Sequence, residues 1–223
     1  MADKNEENLI SMLNVEDKIA LQTGNGCWNT CLIDKLSIPS VAFADGPLGL
    51  RKMDGEATVP TVAFPSMAKM ACSFDTDALR SYGVALGEQC RANNVDVLLG
   101  PAVNIKRDPR CGRNFEYFSE DPLLTANLAS AYIDGVTSQG VGVCVKHFAA
   151  NNQEYGRLVC DSVIDDRALR EIYLSAFERI IKRTKPCAVM CSYNKLNGEY
   201  CSQNKWLLTD VLRTEWGYKG IVI

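Results

Sequence analysis

Four short polar clusters in this chain carry side chains suited to gripping a neutral, polyhydroxylated ligand. Asp45 with Arg51, then Asn104, Arg107 and Arg113, then Lys146 with His147, and finally Ser192-Tyr193-Asn194 each follow a short apolar run. Together they offer a carboxylate, guanidinium groups, an ammonium, an imidazole and a phenol. Every sugar hydroxyl both donates and accepts, so a set that mixes fixed donors with a fixed acceptor suits such a ligand. A metal is not expected. The chain has a single histidine, and Cys27/Cys31 and Cys187/Cys191 form CxxxC pairs without the tighter spacing or histidine partners of zinc sites. No cofactor is expected either: Gly24-Asn25-Gly26 precedes the first apolar run instead of following it, so it has no phosphate-binding role.

These clusters need elements that carry them to one place. Val41–Ala44, Val95–Leu99, Val141–Val145, Cys187–Cys191 and Gly220–Ile223 read as strands apolar on both faces. Helices are predicted between and before them. Asn14 caps one that Gly24 stops, and residues 75–92 place Leu79, Tyr82, Leu86 and Cys90 on one stripe. Pro122 opens a helix to about Ser138, with Leu124, Leu128 and Ala131 on one face. From about Arg167 to Arg183 the stripe is Leu169, Ile172, Ala176 and Ile180; a last helix over about 205–216 ends at Gly217.

Apolar strands separated by amphipathic helices argue for a buried parallel sheet. In a parallel barrel all strand C-terminal ends open onto one face, where the site lies. The predicted fold is therefore α/β, an incomplete TIM-type (β/α) barrel of about five parallel strands with intervening helices. A doubly wound open sheet is the alternative, but it would place a Gly-rich turn after its first strand. Residues 1–223 read as one domain, with no internal boundary, repeat or low-complexity linker.

Composition narrows the partners. With 47% hydrophobic residues, 23% charged and a net charge of −3 in no block, the chain has no electrostatic footprint for nucleic acid or an anionic membrane. No apolar stretch approaches the roughly 20 residues that span a bilayer. Met1–Glu7 is polar and mixed in charge, unlike a secretory signal. The ten cysteines are then expected to be reduced and mostly buried, and the location cytoplasmic.

Five segments in order carry a resemblance. Ala44-Asp45-Gly46-Pro47-Leu48-Gly49-Leu50-Arg51, Cys111-Gly112-Arg113-Asn114-Phe115-Glu116, Phe118-Ser119-Glu120-Asp121-Pro122, Lys146-His147-Phe148-Ala149-Ala150-Asn151-Asn152 and Ser192-Tyr193-Asn194 resemble the N-terminal barrel of glycoside hydrolase family 3, β-glucosidase type. The likeness runs from about Asp17 to the last residue. It implies a hydrolase of carbohydrate metabolism that removes terminal β-D-glycosyl residues with retention. By the same resemblance Asp45, Arg51, Arg113, Lys146 and His147 would contact hydroxyls of one sugar ring. Met190 and Tyr193 would line the pocket. The nucleophile would be an Asp about two residues beyond Ile223, with the acid/base in a following domain.

Retaining hydrolysis needs two carboxyl groups about 5–5.5 Å apart. Nothing in the chain convincingly replaces the missing pair: Asp45 fits a binding role, and Glu116, Glu120 and Asp121 lie beside a helix start. These 223 residues alone are expected not to turn over. The expected partners are a β-linked glucoside or short oligosaccharide and the remainder of the same polypeptide. An open sheet edge also favours self-association, which a monomer with a two-state melt would contradict.

Plainer readings compete. Asp45-Gly46-Pro47 would also serve as a turn, Asn104, Arg107, Arg110 and Arg113 as loop anchors, and Met190 and Tyr193 as barrel core. Glu120 and Asp121 suit a helix N-terminus, Trp206 and Trp216 pack on a helix, and Trp28 is undecided. Two other functions are weighed. An N-acetylglucosaminidase relative would carry Lys-His-Phe-Pro-Gly-His-Gly, whereas Lys146-His147-Phe148 continues as Ala149-Ala150-Asn151-Asn152 with no second histidine. A non-catalytic sugar-binding protein would end naturally at Ile223. One geometric expectation stands apart. Neighbours in a strand face opposite ways, so Lys146 and His147 reach one sugar only if the backbone bulges or carries an unusual peptide bond there.

Overall fold

The computed structural model describes residues 2–54 and 57–223. Its centre is a five-stranded sheet: β1 Phe43–Asp45, β2 Val97–Leu99, β3 Gly142–Phe148, β4 Ala188–Cys191 and β5 Ile221–Val222. The strands lie side by side in chain order, and every neighbouring pair is parallel. Each crossover contains a helix, as parallel connections require. Between β1 and β2 run the short helix Met67–Ala71 and the helix Thr76–Ala92; between β2 and β3 lies Pro122–Thr137. Among the described residues no helix is long and apolar enough to cross a membrane.

Alternation along the strands separates two apolar layers. Ala44, Leu98, Val143, Val145 and Val189 face the helices and merge with Leu79, Leu86, Leu128 and Phe177 in the main core. Val97, Leu99, Cys144 and Ala188 face the other way and pack with Phe43, Val41, Trp28 and Met190, which fill the concave side of the curved sheet. Trp28 thus belongs to the lumen packing. Trp216 packs against Phe148 and Trp206 lies under Arg170, as expected of helix residues that pack.

The helix caps follow the sequence. Asn14 and Asp17 form a reciprocal capping box ahead of Val15–Thr23, and Asp121 caps Pro122–Thr137 by accepting from Leu123 N and Leu124 N. The helices Thr76–Ala92 and Pro122–Thr137 cross at two glycines. A Cβ on Gly83 would collide with Tyr132 O, and one on Gly135 with Arg80 O, so the two backbones touch. Gly83→Ala is expected to cost about 1–3 kcal/mol by forcing these helices apart, read as a lower urea midpoint at unchanged slope; an unchanged midpoint would show that the crossing yields freely.

Several boundaries differ from expectation by a residue or two, and three differences go further. Strand β1 starts at Phe43 and includes Asp45, because Phe43–Asp45 pairs with Val97–Leu99. Strand β3 runs on to Phe148, since the chain after β2 keeps pairing with it: Lys146 N donates to Pro101 O at 3.0 Å and Val103 N to Lys146 O at 2.7 Å. The predicted helix Arg167–Arg183 is Asp166–Ala168, a π-helical turn Leu169–Tyr173 and then Ser175–Thr184. Leu174 N bonds Leu169 O, so the buried stripe steps five residues from Leu169 to Leu174 and leaves Ile172 40% exposed, against its predicted place in the core.

Candidate functional site

The ends of β1 and β3 meet at one ion pair. Asp45, the last residue of β1, faces the concave side like Phe43 two residues before it, and Lys146 does so from β3. Their charged atoms, Oδ1 and Nζ, are 2.6 Å apart. The lysine side chain is 3% exposed and the aspartate 31%, so the pair is dry on one side and open on the other. Burial pushes the Asp45 carboxyl up, but the charge and hydrogen bond of Lys146, the Gly46 N–H and the Arg113 charge together outweigh it and leave its pKa below the ordinary value.

A tight turn follows. Gly46 has φ 120°, and a Cβ there would strike Gly49 O, so only glycine fits. The turn brings Arg51 back beside β1, where Arg51 N donates to Asp45 O at 2.8 Å. Arg113 arrives from the long loop after β2, at the head of the short turn Asn114–Glu116, and pairs through Nε with the buried Glu116. Asp45, Arg51 and Arg113 share one cavity of about 680 Å³, walled by the 46–50 turn, the 58–63 segment and Phe115. That volume falls in the range of about 300–1,000 Å³ usual for small-molecule sites.

His147 departs from the strand's alternation. Cys144 and Lys146 face the concave side, yet Phe148 faces the helices, packing edge-on against Phe177 and Trp216. The extra residue is His147: the register steps from Lys146↔Met190 to Phe148↔Cys191, two residues against one, and the Lys146–His147 and Phe148–Ala149 peptides are cis. The buried Asn104 clamps it, with Oδ1 accepting from His147 N and Nδ2 donating to His147 O, both at 2.9 Å. The ring therefore leaves the helix side and meets Tyr117, whose Oη is 3.3 Å from Nδ1. Burial first, then the charges of Arg113, Lys146 and Arg157, holds the His147 pKa well below the ordinary value.

Of the candidates only Asp45, Arg51 and Arg113 line the cavity; Lys146 touches it through Asp45, and His147, Met190 and Tyr193 stand outside its lining. Met190 pairs in register with Lys146 and packs among the lumen residues. Tyr193 is 44% exposed, with the Arg157 guanidinium 4.6 Å above its ring. Both come from the end of β4, the fourth of five strands, with β5 beside it at the sheet edge. Arg110 is a loop anchor, paired with Asp108 at 2.7 Å on the surface. Glu116, Tyr117, Asn151, Glu154 and Arg157 were not singled out by sequence as site residues, although four of them flank quoted motifs or lie in them. Their partners are 3 to 36 residues away, and no periodicity points to them.

All ten cysteines are free thiols, but the expectation that most are buried needs correction. Four are buried, three half-buried and three, Cys27, Cys72 and Cys187, exposed. Two of the exposed ones sit in surface loops, and Cys187 lies just before β4 with its thiol donating to Val143 O at 3.2 Å. Among the described residues no three His, Cys, Asp or Glu side chains gather as a metal site.

A sheet of five successive parallel strands, each crossing over through a helix and delivering polar residues to one end, defines the first part of a (β/α) barrel with a polar cavity at its mouth. Residues 7–223 match the Glycosyl hydrolase family 3 N terminal domain, and the chain belongs to that family. It is 52% identical to thermostable beta-glucosidase B of Acetivibrio thermocellus over 97% of this chain and 30% of that protein. It is 48% identical to the exo-alpha-(1->6)-L-arabinopyranosidase of Bifidobacterium longum over 95% and 29%. Among solved structures, beta-glucosidase 3B of Thermotoga neapolitana in complex with glucose matches with a TM-score of 0.91 and 47% identity, covering 97% of this chain and 33% of that one. The beta-glucosidase of Kluyveromyces marxianus in complex with glucose matches with a TM-score of 0.94 and 42% identity, over 97% and 26%. The chain therefore spans a third or less of each of these relatives.

Proposed function

We propose that these residues supply the glycone-binding part of a retaining β-glycosidase that removes terminal β-D-glucosyl residues. The observation that carries this reading is the Asp45–Lys146 pair, half open to a cavity that Arg51 and Arg113 also line. An ionised carboxylate held beside ammonium and guanidinium donors offers a hydroxyl-bearing ring both kinds of hydrogen bond at fixed positions. His147 adds an imidazole to the same end of the sheet. Met190 and Tyr193 join the pocket once further strands close the barrel beside β5.

The two reacting carboxyl groups come from polypeptide that follows Ile223, consistent with relatives about three times as long. On this reading residues 1–223 are the N-terminal part of a single barrel domain whose first partner is the rest of its own chain, and alone they do not turn over. The family supports a role in carbohydrate metabolism, and the cytoplasm, where thiols stay reduced, is the location this reading assigns; thiols already oxidised in freshly lysed cells would oppose it.

A second reading concerns the glycone. One relative is named for α-L-arabinopyranose, so that sugar belongs in the test beside glucose, xylose and galactose. The complete protein should release nitrophenol fastest from the β-D-glucoside, and the first-formed sugar should be the β-anomer by proton NMR. Release of the α-anomer would defeat retention, and a preference for the arabinopyranoside would replace the glucoside assignment. No turnover of any of the four would leave the non-catalytic sugar-binding reading in its place.

A further inference from the structure

Behind His147 lies a continuous line of hydrogen bonds that sugar contact alone does not require. Arg157 Nη1 bridges to Glu154 Oε2 at 2.9 Å, which favours Glu154 as a carboxylate, able only to accept. Asn151, 1% exposed, places Nδ2 3.2 Å from Glu154 Oε1 and 3.1 Å from Tyr117 Oη. Turned over, this amide would set its oxygen against the carboxylate, so the amino group must face that way. Its two hydrogens are then both used, one on each acceptor, and Asn151 Oδ1 is left buried without a partner.

The amide thus fixes the phenol. Tyr117 Oη accepts from Asn151, and its own hydrogen points at the remaining neighbour, His147 Nδ1, 3.3 Å away. Burial, aided by the Glu116 and Glu154 charges against that of Arg113, raises the Tyr117 pKa above the ordinary value, so the phenol keeps that hydrogen. A neutral imidazole that accepts at Nδ1 carries its proton on Nε2. Among the described residues the charges around the ring are Arg113, Lys146 and Arg157, all positive, and the carboxylates Asp45, Glu116 and Glu154, each already tied to a lysine or an arginine. Nothing near the ring rewards an imidazolium.

We propose that Arg157, Glu154, Asn151 and Tyr117 form an orienting relay that holds His147 as the neutral Nε2–H tautomer, so that His147 meets its ligand only as a hydrogen-bond donor. The relay rests on the sugar-contact reading of His147 and adds a rule to it: the ligand atom opposite Nε2 must accept, as a hydroxyl oxygen does and an ammonium does not. The four relay residues are positioning residues. The lone acceptor given up at Asn151 is the structural cost of aiming one proton.

In the complete protein with ¹⁵N-labelled histidine, the His147 nitrogens are assigned as the signals that disappear in His147→Gln. Two-bond proton–nitrogen correlation NMR should show an unprotonated Nδ1 and a protonated Nε2, unchanged between about pH 5 and 8. A proton on Nδ1, or rapid exchange between the tautomers, would overturn the relay. Tyr117→Phe removes the donor to Nδ1 and should produce a tautomer mixture. Glu154→Gln keeps shape and frees the Asn151 amide to turn, so it should do the same even if Tyr117→Phe fails to fold. A single Nε2–H form persisting in Glu154→Gln would show that the relay does not set the proton. These readings need no sugar: glucose failing to shift the His147 signals in the complete protein, with the tautomer as expected, would sink the sugar-contact reading and leave the relay standing.

Discussion

Asp45→Asn in the complete protein is expected to lower kcat/KM on an aryl β-glucoside by about 100- to 1,000-fold, or about 2.7–4 kcal/mol, the loss typical of one preorganised polar contact that tightens in the transition state. The carboxylate is held ionised by Lys146 and stands at the mouth of the cavity, fixed on one side by the buried ammonium and open on the other to a ligand. An amide keeps the shape but loses the charge. It also strands the Lys146 ammonium, 3% exposed, so stability should fall toward the lower end of the roughly 3–5 kcal/mol seen when a buried pair is broken. Lys146→Met separates the two effects. It leaves a carboxylate that is 31% exposed and can be solvated, so kcat/KM should fall comparably while the urea midpoint moves much less.

The sign with pH follows from the depressed pKa. The Asp45 contribution to stability is complete above its unfolded value of 3.8 and is lost as pH falls through the lower folded value. Wild type should lose this component at acid pH, and Lys146→Met should lack it. Wild-type-like kcat/KM in both variants would remove Asp45 and Lys146 from the site.

How far sequence reaches is clearest at β3. Val141–Val145 is apolar throughout, so a buried parallel strand was legible, and so were its four companions and the helices between them. Its last three residues were not: Lys146 pairs on one side with the irregular stretch around Pro101 and Val103, which carries no strand pattern of its own, and pairing with β4 resumes at Phe148 only after the bulge. Ile172 shows the opposite failure: the apolar spacing was regular, but the π-turn after Leu169 shifted the phase by one residue. At the candidate site, Asp45, Arg51 and Arg113 could be picked out because each comes at or after the end of an apolar run. That Lys146 and His147 would escape the pleat was legible only as a condition, and the bulge that meets it depends on Asn104, 43 residues away. Tyr117, Asn151 and Glu154 were silent because nothing local to them signals a polar line. That line exists only where the loop after β2 folds over the loop after β3.

Phe148→Ala carries the largest expected cost to the fold. Phe148 is fully buried where β3 meets the helices, with its ring centroid 5.2 Å from Phe177 and 5.7 Å from Trp216. Removing the ring forfeits its transfer free energy and leaves a cavity bounded by two large aromatics that cannot both move in, about 3–5 kcal/mol in all. Total stabilities are commonly about 5–15 kcal/mol, so urea unfolding should show a sharply lower midpoint. Phe148→Leu keeps most of the volume and loses mainly the edge-on aromatic contacts, worth about 0.5–1.5 kcal/mol each beyond burial, so it should fall well short of the alanine loss. The two variants also bear on function. Phe148 is the residue whose helix-facing side chain leaves His147 on the opposite side of β3, so a protein that folds with leucine there should keep its sugar affinity, whereas one softened by alanine should bind more weakly at temperatures where it is still folded. An alanine variant as stable as wild type would mean that β3 is not anchored to Phe177 and Trp216, and the placement of Lys146 and His147 would then need another support.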